Sequence, residues 1–193
     1  MQTCGVILSG GRSSRMGTNK SLLDIDGKTA IEQIANELKK CSHETAVITN
    51  EPAIYEFLGL NLYQDRYQDK GPLAGIESAL HHVDADVYFF AACDMPFIHQ
   101  GVYRHLWQAM NGADAVIPIH NDRMHPLSGI YTKNVLPHIQ MLLEHDERKI
   151  RALFEHIDVH YVTDYDGIAK QMVDKHFFNM NYPAQFEEAK RFQ

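Results

Sequence analysis

Val87-Tyr88-Phe89-Phe90-Ala91-Ala92-Cys93-Asp94-Met95-Pro96 is the stretch on which the fold turns. Its first six residues are apolar with no polar alternation, which reads as a β-strand buried on both faces. Such strands belong to parallel sheets covered by helices on either side. The run then stops at a carboxylate and a proline, so a charge is delivered where the strand leaves the sheet. A central position in the sheet is expected for it.

Outward from this strand, short apolar runs alternate with longer amphipathic stretches, the pattern of βαβ units. On the N-terminal side the reading gives a strand at Cys4 to Leu8, a turn-rich stretch and a helix from Thr29 to Lys40. Strands at Glu44 to Thr49 and Leu60 to Tyr63 follow, and then, after Gly71-Pro72, a helix around Gly75 to His82. On the other side come a helix from Ile98 to Met110, strands at Ala115 to Pro118 and Leu127 to Tyr131, and helices at Val135 to Glu144 and Lys149 to His156. The tail offers a strand at Val159 to Val162, a polar stretch around Asp164 to Gly167, and a closing helix after Pro183, a residue suited to a first helical turn. The expected fold is a single α/β domain: three layers around an open, doubly wound, mostly parallel sheet. In such sheets ligands sit beyond the carboxyl ends of the strands, so the loops after Leu8 and after Ala92 share the functional edge.

Composition sets the outer limits. The 193 residues suffice for one full-sized domain, and 45% apolar with 22% charged residues is ordinary globular usage. A net charge of -7 argues against a nucleic-acid or anionic-membrane partner. Met1 to Leu23 nevertheless carries Arg12, Arg15 and Lys20 and no acid, which marks it as a local anion site. Cys4, Cys41 and Cys93 stand at neither metal nor redox spacing, which suits a reducing compartment. The run Val6-Ile7-Leu8 is too short for a secretory signal, and a soluble cytoplasmic protein is expected.

The segment directly after the first strand is Leu8-Ser9-Gly10-Gly11-Arg12-Ser13-Ser14-Arg15-Met16-Gly17-Thr18-Asn19-Lys20. Glycines let backbone N–H groups converge on ligand oxygens, and Arg15 and Lys20 add the charge that a triphosphate requires. A glycine-serine loop is often only a connector. Here three cations fall within nine residues, and an empty loop gains nothing from gathering like charges. The loop is not a Walker A, because Gly17 is followed by Thr18 rather than lysine, and no Gly-x-Gly-x-x-Gly passes through Gly10, Gly11 and Gly17.

Asp94 stands at the same edge. A carboxylate there suits Mg2+, which prefers hard oxygens and binds through one or two carboxylates plus substrate phosphates. Capping of the helix at Ile98 is the competing reading. Asn50 after the second strand, and Asp65 followed by Gly71-Pro72-Leu73-Ala74-Gly75, admit both a ligand role and a plain turn role. Several other groupings are declined: His156 and His160 should diverge from helix to strand, His81-His82 should end a helix, Asp24 and Asp26 should be solvated around a turn, and Ser13 and Ser14 lack a nucleophile elbow.

The segment from Leu8 to Lys20 resembles the leucine-x-glycine-glycine, x-serine-x-arginine-methionine-glycine, lysine signature of the molybdenum cofactor nucleotidyltransferases, and most of all their guanylyltransferases. Ser9 is a departure, since alanine is commoner there. The resemblance implies a nucleotide-diphospho-sugar transferase-like fold with a Rossmann-like nucleotide-binding half. It implies a nucleotide site at Leu8, Ser9, Gly10, Gly11, Arg15, Lys20, Asn50, Asp65, Gly71 and Asp94, with Arg15, Lys20 and Asp94 catalytic and Asp94 holding Mg2+. Asn179 and Asn181 resemble an asparagine-x-asparagine, proline motif that faces the acceptor or metal, with capping of the last helix as the alternative. The implied partners are GTP and molybdenum-molybdopterin, and beyond them cofactor-insertion proteins and target molybdoenzymes. A cytidylyltransferase, a sugar-phosphate nucleotidyltransferase and a noncatalytic GTP-binding module are the competing functions.

Overall fold

The computed structural model describes residues 1–10 and 19–192. Its first half runs β1 (Thr3–Ser9), β2 (Asp24–Ile25), β3 (Lys28–Thr29), α1 (Ala30–Leu38), β4 (Glu44–Thr49), β5 (Asn61–Tyr63), α2 (Pro72–His82) and β6 (Val87–Ala92). The second half runs α3 (Gln100–Gln108), β7 (Ala115–His120), β8 (Arg123–Met124), β9 (Ile130–Thr132), α4 (Leu136–Glu144), α5 (Ile150–Leu153), β10 (Val159–Val162), α6 (Lys170–His176) and α7 (Pro183–Ala189).

The main sheet has the order β10-β7-β9-β6-β1-β4-β5, with β8 hydrogen-bonded to β7. Neighbours β5, β4, β1 and β6 are mutually parallel, as are β7 and β10. Only nine residues, 121–129, separate β7 from β9, too few for a crossover helix, and β9 accordingly runs antiparallel to both β6 and β7. The mostly parallel, doubly wound sheet expected from the sequence is therefore present, and β6 lies inside it beside β1.

Alternation along the strands builds two apolar layers. Val6 and Leu8 of β1, Ile48 of β4 and Phe90 of β6 pack with Leu73, Ile76 and Leu80 of α2 and Ile139 and Leu143 of α4. Ile7, Val47 and Phe89 point the other way, onto Ile31, Ile34 and Leu38 of α1 and Val102 and Leu106 of α3. Two helical layers thus enclose one sheet, and burial of these side chains at about 25 cal/mol per Å2 is the main force holding them. A capping box fixes the entry to α1: the Thr29 N–H donates to Glu32 Oε2 at 2.7 Å, and the Glu32 N–H to Thr29 Oγ1 at 3.3 Å.

Several details differ from expectation. Helix α2 begins at Pro72, not Gly75, because Gly71 with φ +72 turns the chain and Pro72 starts the helix. The strand expected over Leu127 to Tyr131 holds only Ile130–Thr132, since Pro126–Ser128 forms a single tight turn. The helix expected over Lys149 to His156 is the single turn Ile150–Leu153. Helix α6 and the β2–β3 hairpin were not anticipated as elements, although the hairpin turns at Asp26-Gly27 where a turn was expected.

Candidate active site

The chain leaves β1 for β4 and β5 on one side, then crosses through α2 to β6 on the other side of β1. The strand order reverses there, and the carboxyl ends of β1 and β6 frame the crevice where such sheets take ligands. The Cys93 N–H donates to the Leu8 carbonyl at 3.1 Å, locking the two ends together. A cleft of about 480 Å3 opens at this point, and Leu8, Gly10, Lys20, Asn50, Asp65, Gly71 and Asp94 all line it. A larger groove of about 630 Å3 between α1 and the C-terminal helices contains none of these residues. Gly11, Arg12 and Arg15 lie outside the described residues. Ser9 faces away from the cleft, its Oγ 2.6 Å from the Tyr55 hydroxyl, which leaves only its backbone for the ligand.

One wall belongs to Asp65. Asn50 Nδ2 donates to Asp65 Oδ2 at 3.2 Å, while Oδ1 is buried with no hydrogen-bond partner among the described residues. Burial pushes the Asp65 carboxyl above the ordinary aspartate range, and the Asn50 bond pulls it back. The carboxylate fits between two glycines: a Cβ at Gly10 would lie 3.3 Å from Oδ2, and one at Gly75 would lie 3.7 Å from Oδ1 and 3.2 Å from Leu8. Behind it, the Arg66 N–H donates to Ser78 Oγ at 2.8 Å and the Arg66 guanidinium pairs with the fully buried Glu77 of α2. Gln140 of α4 adds a 2.9 Å bond to the same Glu77 oxygen. Helix α2 starts on this wall: Gly71, Pro72 and Gly75 line the cleft, and the Ala74 N–H donates to the Gly71 carbonyl at 3.1 Å.

The opposite wall gathers Asp94 and Lys20. Asp94 caps no helix: α3 starts at Gln100 and is capped by His99, whose Nδ1 accepts from the Gly101 N–H at 3.0 Å. Burial raises the Asp94 carboxyl above its ordinary value, with the Lys20 charge acting in the opposite sense. Burial beside Asp94 also holds the Cys93 thiol up to about 11, which keeps it protonated and unfit as a nucleophile.

The C-terminal segment closes this wall. The Met180 N–H donates to the Asp94 carbonyl at 2.8 Å, and Lys20 Nζ donates to Asn181 Oδ1 at 3.3 Å. Neither asparagine of the tail motif caps α7, because Gln185 Oε1 accepts from the N–H groups of Asn181 and Tyr182. Asn181 therefore faces the cleft's lysine, whereas Asn179 Nδ2 is turned to the Phe177 carbonyl at 3.1 Å.

Sequence reasoning missed Tyr55, Arg66, Glu77 and Ser78. A signal for Glu77 existed: an acid inside the apolar run Leu73 to Leu80 can be buried only if something pairs with it. Tyr55 left none, being one aromatic in a short turn.

Comparison with known proteins bears on the family and the fold. The family model of the MobA-like NTP transferase domain matches residues 5–161. The "probable molybdenum cofactor guanylyltransferase" of Carboxydothermus hydrogenoformans is 32% identical over 183 residues, spanning 94% of this chain and 92% of its own. A protein of the same description from Clostridium perfringens strain 13 is 34% identical over 186 residues, spanning 94% and 93%. The crystal structure of molybdopterin-guanine dinucleotide biosynthesis protein A from Archaeoglobus fulgidus superposes with a TM-score of 0.82 at 27% identity, over 97% of each chain.

Proposed function

Because the chain belongs to the MobA-like NTP transferase family, we propose that it transfers GMP from GTP to the terminal phosphate of molybdenum-molybdopterin, releasing pyrophosphate. The observation that carries the reading is the meeting of three features in one switch-point cleft: the Lys20 ammonium, the Asp94 carboxylate and an Asp65 oxygen with no hydrogen-bond partner among the described residues.

Asp65 takes the nucleoside. A buried acceptor without a donor gains most from a ligand edge rich in donors, and guanine offers N1–H and the N2 amino group where cytosine offers a single amino group. Asn50 orients the carboxylate, and Gly10 and Gly75 leave the backbone bare on either side of it.

Lys20 and Asp94 serve the phosphates. The acceptor phosphate is already an anionic nucleophile, so no general base is demanded. Its oxygen bonds to the α-phosphorus of GTP as the bond from that phosphorus to the bridging oxygen breaks, and both bonding electrons leave with pyrophosphate. Lys20 lies on the wall where that charge develops and neutralises it. A desolvated carboxylate at a phosphate-binding edge is the donor set that Mg2+ accepts, completed by phosphate oxygens and water, and Asp94 fits it. Mg2+ held there would supply charge neutralisation on the triphosphate. Arg15 is assigned, by the resemblance of its loop, to the same leaving charge.

We place the protein in the cytoplasm, where its cysteines stay reduced: none of the three forms a disulfide. No helix among the described residues is long and apolar enough to cross a membrane.

The test is isotopic. With GTP labelled at the α-phosphate and molybdenum-loaded molybdopterin, the label is expected in the pterin product, whereas label confined to free GMP would mean hydrolysis and defeat the assignment.

A further inference from the structure

Tyr55 lies in the short turn Pro52–Leu58 between β4 and β5, and only 2% of its surface is exposed. Its ring packs on the sheet face carrying Ile7 and Val47. Three polar atoms surround its hydroxyl: Ser9 Oγ at 2.6 Å, Ser21 Oγ at 2.8 Å and Asn19 Nδ2 at 3.0 Å. The protons can be assigned without conflict. Ser21 Oγ gives its proton to Asn19 Oδ1 at 2.7 Å and receives that of Tyr55, whose oxygen accepts from Ser9 and from the Asn19 amide. One buried phenol is thereby saturated by groups from two separated parts of the chain.

The placement of those groups matters. Ser9 is the last residue of β1, and Asn19 immediately precedes the turn Lys20–Leu22. The end of β1 and the start of the Lys20 turn are therefore both held by one hydroxyl. Asn19 Oδ1 also accepts the Ser21 N–H at 3.1 Å, capping the turn from which the Lys20 side chain departs.

We propose that Tyr55 is a positioning residue for the triphosphate: it touches no substrate atom, but its hydroxyl holds Asn19 and Ser21, and through the Asn19 cap it fixes the direction in which Lys20 leaves the turn. The proposal rests on the reading of Lys20 as a phosphate ligand. A Lys20 whose turn is already set loses less freedom when nucleotide binds, so the hydroxyl contributes to affinity more than to the chemical step.

Tyr55→Phe keeps the ring and removes the hydroxyl. Its comparison is Tyr88→Phe, which removes an equally buried hydroxyl bonded to the Val83 and Ala85 carbonyls at 2.8 and 2.9 Å, at the opposite end of the sheet. Both variants should unfold at somewhat lower temperature. Only Tyr55→Phe should raise the KM for Mg-GTP, by about tenfold, with a smaller fall in kcat. Ser9→Ala, which deletes one of the three bonds, should move KM the same way by less and serves if Tyr55→Phe does not fold. Amide hydrogen exchange of the nucleotide-free proteins gives a second readout: Ser21 and Leu22 should exchange faster in Tyr55→Phe than in Tyr88→Phe. An unchanged KM would overturn the proposal, as would equal exchange at Ser21 and Leu22 in the two variants. Failure of the wild type to use GTP would remove the guanylyl reading instead, and the exchange comparison would still decide whether the hydroxyl holds the turn Lys20–Leu22.

Discussion

The two walls of the cleft are built on different principles. The Asp65 wall stands on a packed polar network in which Arg66, Glu77, Ser78 and Gln140 tie the end of β5 to α2 and α4. The Lys20–Asp94 wall is assembled from three distant parts of the chain, joined among the described residues by a backbone bond from Met180, a 3.3 Å contact from Lys20 to Asn181 and the small apolar cluster around Met180. A wall that must distinguish one base from another gains from rigidity, because discrimination comes from unmet hydrogen bonds in the wrong complex. A wall that handles phosphates works through charge, which tolerates movement better than hydrogen-bond geometry does.

The sharpest way to separate the walls is to remove the charge on one. Asp94→Asn should fold and bind nucleotide yet lose metal-dependent turnover on the order of hundredfold or more, measured as the initial rate at saturating Mg-GTP. Its effect on stability should have the opposite sign. The Asp94 carboxyl is raised above 3.8 in the folded chain, so its ionised form destabilises the fold. That penalty is absent below pH 3.8, grows as pH rises toward the folded value and is complete above it. Urea unfolding should accordingly show Asp94→Asn no less stable than wild type at pH 7, with any advantage vanishing on acidification.

Breaking the brace of the other wall should reverse that pattern. Arg66→Ala leaves the Glu77 carboxylate, 0% exposed, without its cation, and removing one member of such a pair costs about 3 kcal/mol. Chemical denaturation should report a loss of that order, accompanied by a higher KM for GTP. A variant as stable as wild type would mean that the network does not brace the wall.

The smallest of these effects concerns recognition. Asp65→Asn retains the shape and replaces one acceptor oxygen by a donor, so affinity for GTP should fall about tenfold while binding of CTP changes little. Equal losses for the two nucleotides would move Asp65 from the base to the ribose.

The same contrast explains what the sequence could disclose. β4, β6 and β10 were read to the residue because each is a short run with a sharp polar edge, and Asp94 was legible because it follows such a run. Lys20 was legible from its company of cations and glycines. Helix α6 escaped because only Val173 and His176 of its seven residues are buried, too sparse a stripe to show a period. The brace at Glu77 and the hydroxyl of Tyr55 escaped for a different reason. Their partners lie 11 and 46 residues away, at Arg66 and Ser9, and such pairings exist only once β1, β4, β5 and α2 have assembled. For Asp94 and Asn181 the same assembly removes the capping alternative, since His99 and Gln185 do the capping.

The most direct test of the central claim is pyrophosphate release by the purified protein from Mg-GTP and from Mg-CTP, each with and without molybdenum-loaded molybdopterin. The account predicts release only when GTP and acceptor are both present. Release from CTP with acceptor, or from neither nucleotide, would contradict it.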